Sequence, residues 1–140
     1  MKPKTHQQAY DRLGTLDLES FLNHLLLETP IPFKGHLIRC GSPRIRTFLK
    51  GISCAFCGIQ ATISAIERTA DGLKSSSYHV NLYHVREDGT EVMMTSDHIH
   101  PKSKGGREDL FNRQPMCIIC NLKKGSKILH TNPNAIQPDT

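Results

Sequence analysis

Tryptophan is absent from the 140 residues, and aromatic residues of all kinds make up only 6%. A core built from this chain must rest on a few Leu, Ile and Phe clusters, helped by a covalent or metal staple. Long apolar runs are missing too, so no segment approaches the ~20 residues that a membrane-spanning helix requires. Residues Met1 to Gly14 are polar, with two lysines and no apolar stretch, which argues against a secretory leader. There is no internal repeat and no low-complexity tract. These absences predict a cytoplasmic protein with no membrane partner. In a reducing compartment, five cysteines are more readily metal ligands than disulfides. A disulfide-bonded secreted protein is the disfavoured alternative.

The length suits one domain. The formal charge of +5 is uneven. Residues 1 to 50 hold eight Lys/Arg against four Asp/Glu, residues 51 to 96 three against five, and residues 97 to 140 seven against four. Basic ends around an acidic middle suit a polyanionic partner such as DNA.

Between Leu16 and Glu28, the residues Leu18, Phe21, Leu22, Leu25 and Leu26 recur at helical spacing, with Asp17 placed to cap and Pro30 to stop. Thr29 to Lys50 mixes prolines, glycines and five basic residues, and reads as an irregular connection with little core of its own. Tyr78 to Val85 and Glu91 to Thr95 favour strands and flank an Asp88-Gly89 turn, predicting a β-hairpin. Pro101 to Gly106 marks a second turn, and Ile118 to Lys127 has no breaker before Gly125, which suits a short helix. The division that follows is a helical, basic extension over 1–50, a working domain over 51–128 and a flexible tail over 129–140.

Cys54-Ala55-Phe56-Cys57 and Cys117-Ile118-Ile119-Cys120 are two knuckles whose spacing lets both thiolates of a pair reach one ion. Together they make a tetrahedral set for structural Zn²⁺, closed to water and substrate, so zinc binding becomes folding energy. Cys40 is left over and reads as a small thiol without a role. His79 and His84 lie on the predicted hairpin and read as ordinary strand residues.

A second constellation lies between the knuckles and on the last helix. Asp97 and His98 end the hairpin strand, and Asn121 follows the final cysteine. A carboxylate and an amide oxygen are hard ligands, suited to Mg²⁺ or Mn²⁺ and poor competitors for zinc. His98 has a side chain able to take a proton from water near neutral pH. An ion at Asp97 and Asn121 would neutralise phosphate charge and assist a departing 3′ oxygen. Around these residues stand Lys102, Lys104, Arg107, Arg113, Lys123, Lys124 and Lys127, a set that fits phosphate contacts of no sequence preference.

Taken together, Asp97-His98-Ile99-His100-Pro101, Gly105-Gly106, Asn112 to Cys117, Cys120-Asn121 and Lys123-Lys124-Gly125 resemble the HNH nucleases, over a stretch reaching from Cys54 to Gly125. The resemblance implies an α+β architecture with a ββα-metal core stapled by zinc, and a metal-dependent endonuclease that hydrolyses DNA phosphodiesters. It further implies His98 as general base, Asp97 and Asn121 as ligands of the catalytic ion, Asn112 as the residue orienting loop and base, and Cys54, Cys57, Cys117 and Cys120 as the zinc ligands. Asn121 stands where the family name has its second histidine. The knuckles are further apart than in compact members, so residues 59 to 96 should hold an insertion or an extra strand pair. His100, one residue beyond the base, should point away from it. One site cuts one strand per visit, so a double-strand break requires a second copy or a phage or host partner. The competing reading is a non-catalytic zinc-knuckle DNA-binding module, which needs the same basic residues but not Asp97, His98 and Asn121 together.

Overall fold

The computed structural model describes residues 10–69 and 77–127. The tail predicted over 129–140 therefore lies outside the described residues, as do residues 1–9. Among the described residues, no helix is long and apolar enough to cross a membrane.

Helix α1, Leu18–Leu27, forms where the apolar spacing predicts it. The Asp17 carboxylate accepts from the Ser20 amide at 3.2 Å, closing the first turn, and Glu28 in a left-handed conformation ends the last one. Its buried face, Phe21 and Leu25, rests on a sheet of five strands. These are β1 (Tyr10–Leu16), β4 (Ile63–Thr69), β5 (Tyr78–Val85), β6 (Glu91–His98) and β7 (Arg113–Cys117), hydrogen-bonded in that order and antiparallel throughout. The chain is thus α+β, and the hairpin of β5 and β6 turns at Gly89, whose φ of 86° suits glycine.

Two stretches differ from the sequence reading. The run Thr29 to Lys50 is not an irregular connection. It folds as a hairpin of β2 (Ile31–Phe33) and β3 (His36–Ile38), a single-turn helix α2 (Pro43–Arg46) and a 3-10 turn over Thr47–Lys50. Ile31, Ile38, Ile45 and Phe48 are buried in the same core as Ile66, Val80, Leu82, Val92 and Met94. These elements are too short for a periodic apolar signal, and the prolines and glycines between them read as loop. The described part of the first fifty residues is thus a strand-bearing share of the core rather than a helical appendage. The second difference is β1, whose strand character is masked because it turns charge inward.

That charge is Arg12. Its guanidinium bonds the fully buried Glu67 at 2.9 Å and grips Glu91 with two nitrogens, at 2.8 and 2.9 Å. Asn81 and the Tyr83 hydroxyl also donate to Glu67. Burial opposes the charge on Arg12, but the hydrogen bonds to Glu91 and Glu67 outweigh it and hold the group above its ordinary pKa. A carboxylate with this many donors is stable in the interior, where an unpaired one would not be.

The sheet divides beyond its hairpin. Strands β5 and β6 pair only from Tyr83↔Met93 to Val85↔Glu91, after which β6 pairs with β7 from Met94 to His98. Residues 43–50 fill the parting. Arg44 donates to Asn81 of β5 at 3.2 Å, Thr47 shares a 2.7 Å hydrogen bond with Ser96 of β6, and Lys50 donates to the Arg113 carbonyl of β7 at 2.6 Å. Helix α3, Ile118–Lys124, follows β7 directly. The far end of β6, with β7 and α3, is the frame on which the candidate site is built.

Candidate metal centre and active site

The two cysteine knuckles meet. The ligand atoms of Cys54, Cys57, Cys117 and Cys120 all lie within 4.8 Å of one another. With Zn–S bonds of about 2.3 Å, a regular tetrahedron has S–S edges of about 3.8 Å. The Cys57 and Cys117 sulfurs are 3.8 Å apart, so the cluster has the size of a zinc site and not of a disulfide. The Ala55 amide donates to the Pro115 carbonyl at 2.8 Å, which docks the first knuckle on β7. Amides of Phe56 and Cys57 point at the Cys54 sulfur, and that of Cys120 at the Cys117 sulfur, each at 3.4 Å.

Electrostatics within the cluster call for a cation. A hydrogen bond from Cys117, with the knuckle amides, holds Cys54 down to about 4. The same shared bond, with burial, drives Cys117 up, and burial first of all pushes Cys120 up to about 11. One negative charge is accommodated and further ones are opposed, so four thiolates require a bound cation. Cys40 takes no part: it is buried, its sulfur faces the Ile38 carbonyl at 3.8 Å, and burial raises its pKa. His84 bonds the Gln60 carbonyl and His79 packs edge-on against Tyr10, so neither joins the cluster.

Beside the cysteine cluster, a cleft of about 350 Å³ is lined by Asp97, His98, Lys102, Asn121 and Lys124, among others. Strand β6 delivers Asp97 and His98, and α3 delivers Asn121 and Lys124 one turn apart on one helical face. The Asn121 amide nitrogen donates to Thr95 at 2.8 Å. Asp97 is buried and both its oxygens accept hydrogen bonds, from Lys124 at 3.1 Å and from Gln114 at 3.0 Å. Asp97 and Asn121 still match a hard cation in donor type, since each carboxylate oxygen has a second lone pair. Such an ion would share the carboxylate with the Lys124 ammonium.

Asn112 is the organiser of the loop between β6 and β7. Its side-chain oxygen accepts from the His100 amide at 2.8 Å, while its nitrogen donates to the carbonyls of His100 and Arg107 at 2.9 and 2.6 Å. The Ile99 amide also bonds the Asn112 carbonyl. These bonds act on the backbone beside His98 rather than on its ring. The ring is instead bonded through Nε2 to Glu108 Oε1 at 2.8 Å, a partner the sequence reading missed because nothing in its spacing marks it. That bond first of all, with Lys102 nearby, holds the Glu108 carboxyl below its ordinary pKa. His100 faces elsewhere, its ring bonded to the Lys104 carbonyl.

Gly106 makes the loop's close approach possible. A Cβ there would stand 1.8 Å from the His100 carbonyl oxygen and 2.9 Å from the Asn112 amide nitrogen. Gly106→Ala is expected to push the loop off Asn112 and reduce activity by about tenfold or more, since misplacing reacting groups by about 1 Å is that costly. Cleavage at a wild-type rate would contradict this packing.

Two basic residues predicted to hold DNA do something else. Lys124 is 2% exposed, and its ammonium is spent on Asp97 and on the His98 carbonyl at 2.9 Å. Arg113 is also buried, donating to the Glu108 carbonyl, Glu108 Oε2 and Ser96. Each is buried and bonded to an acidic side chain of the same chain, so neither offers its charge freely to a phosphate. Lys102, Lys104, Arg107, Lys123 and Lys127 are exposed. Lys124→Met should cost about 3 kcal/mol of stability by leaving the buried Asp97 carboxylate unpaired. Added Mg²⁺ should return part of it through binding to the folded state. Denaturant titrations with and without Mg²⁺ measure both, and an unchanged midpoint would show that the pair carries no weight.

Comparison with known families supplies an independent observation. Residues 84–127 match the family model described as HNH endonuclease, a span that holds β6, β7, α3 and the second knuckle. No curated protein and no solved structure matches the chain.

Proposed function

Because residues 84–127 carry the HNH endonuclease match, we propose that this protein is a DNA endonuclease hydrolysing phosphodiester bonds with one divalent ion and a histidine base. The observation that carries this reading is the convergence of Asp97, His98 and Asn121 in one cleft, separate from the four thiolates. Asp97 and Asn121 would hold Mg²⁺ or Mn²⁺, which when bound supplies charge neutralisation at the phosphate and at the departing oxygen. His98 takes a proton from water, and the hydroxide so formed attacks phosphorus as the bond to the 3′ oxygen breaks. Asn112 holds the loop beside the base. Lys102, Lys104, Arg107, Lys123 and Lys127 hold the backbone of DNA, so affinity should fall steeply with salt. The zinc builds this frame and takes no part in the chemistry. A nick in one strand is the primary product, and a double-strand break takes a second copy of the chain or a partner.

One observation favours a second reading, a DNA-binding module without catalysis: the Lys124 ammonium already occupies the Asp97 carboxylate. A supercoiled plasmid assay separates the two. The zinc-loaded protein is freed of hard ions by dialysis, because a strong chelator would also take the zinc, and is then given Mg²⁺ or Mn²⁺. Nicking that begins only on adding the ion supports the nuclease. Binding without nicking at any ion concentration supports the module.

A further inference from the structure

The ring of His98 does not stand free in the cleft. Its Nε2 lies 2.8 Å from Glu108 Oε1, and Glu108 is itself held from behind. Arg113 Nε donates to the Glu108 carbonyl at 2.9 Å, and its Nη2 to Glu108 Oε2 at 3.3 Å. Lys102 stands 3.4 Å from Oε1. Arg113 is anchored in turn: Nη1 donates to Ser96 at 3.1 Å, Ser96 bonds Thr47, and Lys50 holds the Arg113 carbonyl. A continuous set of bonds therefore runs from the 3-10 turn at residues 47–50, through β6 and β7, to the ring of the base. Such a set fixes a side chain on an exposed loop that would otherwise sample several rotamers.

We propose that Glu108, braced by Arg113, is the positioning residue of His98, directing its Nδ1 as the proton acceptor; this rests on the nuclease reading. A neutral imidazole has one N–H and one lone pair. With Nε2–H donated to Glu108, the lone pair is on Nδ1. Nδ1 takes a proton from water, the hydroxide bonds phosphorus, the bond to the 3′ oxygen breaks, and that alkoxide takes a proton from solvent. The ring then carries two N–H groups and a positive charge, faced by the Glu108 carboxylate. Glu108 thus both aims the ring and opposes the charge that develops on it, the logic by which a carboxylate supports histidine in hydrolytic triads. Arg113 is a brace in this scheme, which accounts for a buried arginine at the start of β7, next to a loop rich in exposed cations.

The test uses the full zinc-loaded chain, with Glu108→Ala, Glu108→Gln and His98→Ala beside wild type. Glu108 lies on the surface, and in both of its variants Arg113 keeps its bonds to the backbone carbonyl of residue 108 and to Ser96, so both are expected to keep the wild-type thermal transition. The first readout needs no activity: a His98 ring proton on Nε2, shielded from solvent exchange and coupled to nitrogen in NMR spectra. It should be present in wild type, retained in Glu108→Gln, which still accepts the bond, and lost in Glu108→Ala. The second is plasmid nicking in Mg²⁺ or Mn²⁺. Glu108→Ala should lower kcat by about tenfold or more with KM for DNA unchanged, less than the ~10⁴-fold cost of altering a triad aspartate, because Glu108 is half exposed. Glu108→Gln should fall between Ala and wild type. A wild-type kcat in Glu108→Ala, or a ring proton unaffected by it, overturns the positioning role while leaving the nuclease reading intact if His98→Ala is inactive. A wild type that nicks no DNA overturns the nuclease reading, and the positioning role with it, whatever the ring proton shows.

Discussion

Cys117→Ser is expected to release zinc and abolish the cooperative unfolding transition. Structural zinc contributes on the order of 10 kcal/mol in small domains, while whole domains are stable by about 5–15 kcal/mol. Cys117 is the most consequential of the four to lose. It is buried, caps α3 by accepting from the Cys120 amide, and ends β7, so its sulfur ties strand, helix and first knuckle to one point. Without a cation, the remaining thiols are packed closely enough to oppose each other's ionisation. The Ala55 to Pro115 bond would then hold the first knuckle to β7 without help from the sulfurs. A chromophoric chelator measures zinc content and circular dichroism the transition. A variant that keeps both one zinc per chain and the wild-type midpoint would refute the structural role.

His98→Ala should have the largest effect on activity, lowering kcat for plasmid nicking by about 10²–10⁴-fold, the usual contribution of a positioned general base. DNA affinity should change little, because the exposed cations lie on other residues. Folding should also survive, since the His98 ring bonds the exposed Glu108 and not a buried group. This makes His98 a cleaner probe than Asp97, whose removal would strand the buried Lys124 ammonium. Equal nicking by wild type and His98→Ala, at matched zinc content, would exclude a histidine base at this position.

Much of the frame was readable before any coordinates. The apolar spacing from Leu18 to Leu26 specifies α1, the Asp88-Gly89 step specifies the turn of β5 and β6, and two C-x-x-C pairs specify the cluster. Each is a local signal whose cause lies within a few residues. What escaped was set by distance. Arg12 meets partners 55 and 79 residues away, so β1 reads as polar chain when it is a strand with its charge turned inward. Lys124 pairs with a carboxylate 27 residues earlier. Its burial had one available sign: it stands three residues after Asn121, on the helical face assigned to the cleft. Arg113 opens β7, whose register places it opposite His98, a relation visible only once β6 and β7 are paired. Residue type alone assigned both to the surface.

The separation of the two knuckles has a consequence for the newly made chain. Cys117 follows Cys57 by 60 positions in the chain. At about 5–20 residues per second of synthesis, the first pair of thiols waits roughly 3–12 seconds for the second. During that interval β4, β5 and β6 emerge, but β7 and α3 do not exist, and Asp97 has neither Gln114 nor Lys124 to hold it. The cleft is therefore completed only after Cys117 and Cys120 have been made, when all four sulfurs become available to a cation. A nascent chain carries His98 before Glu108, Arg113 and the helix that closes the cleft.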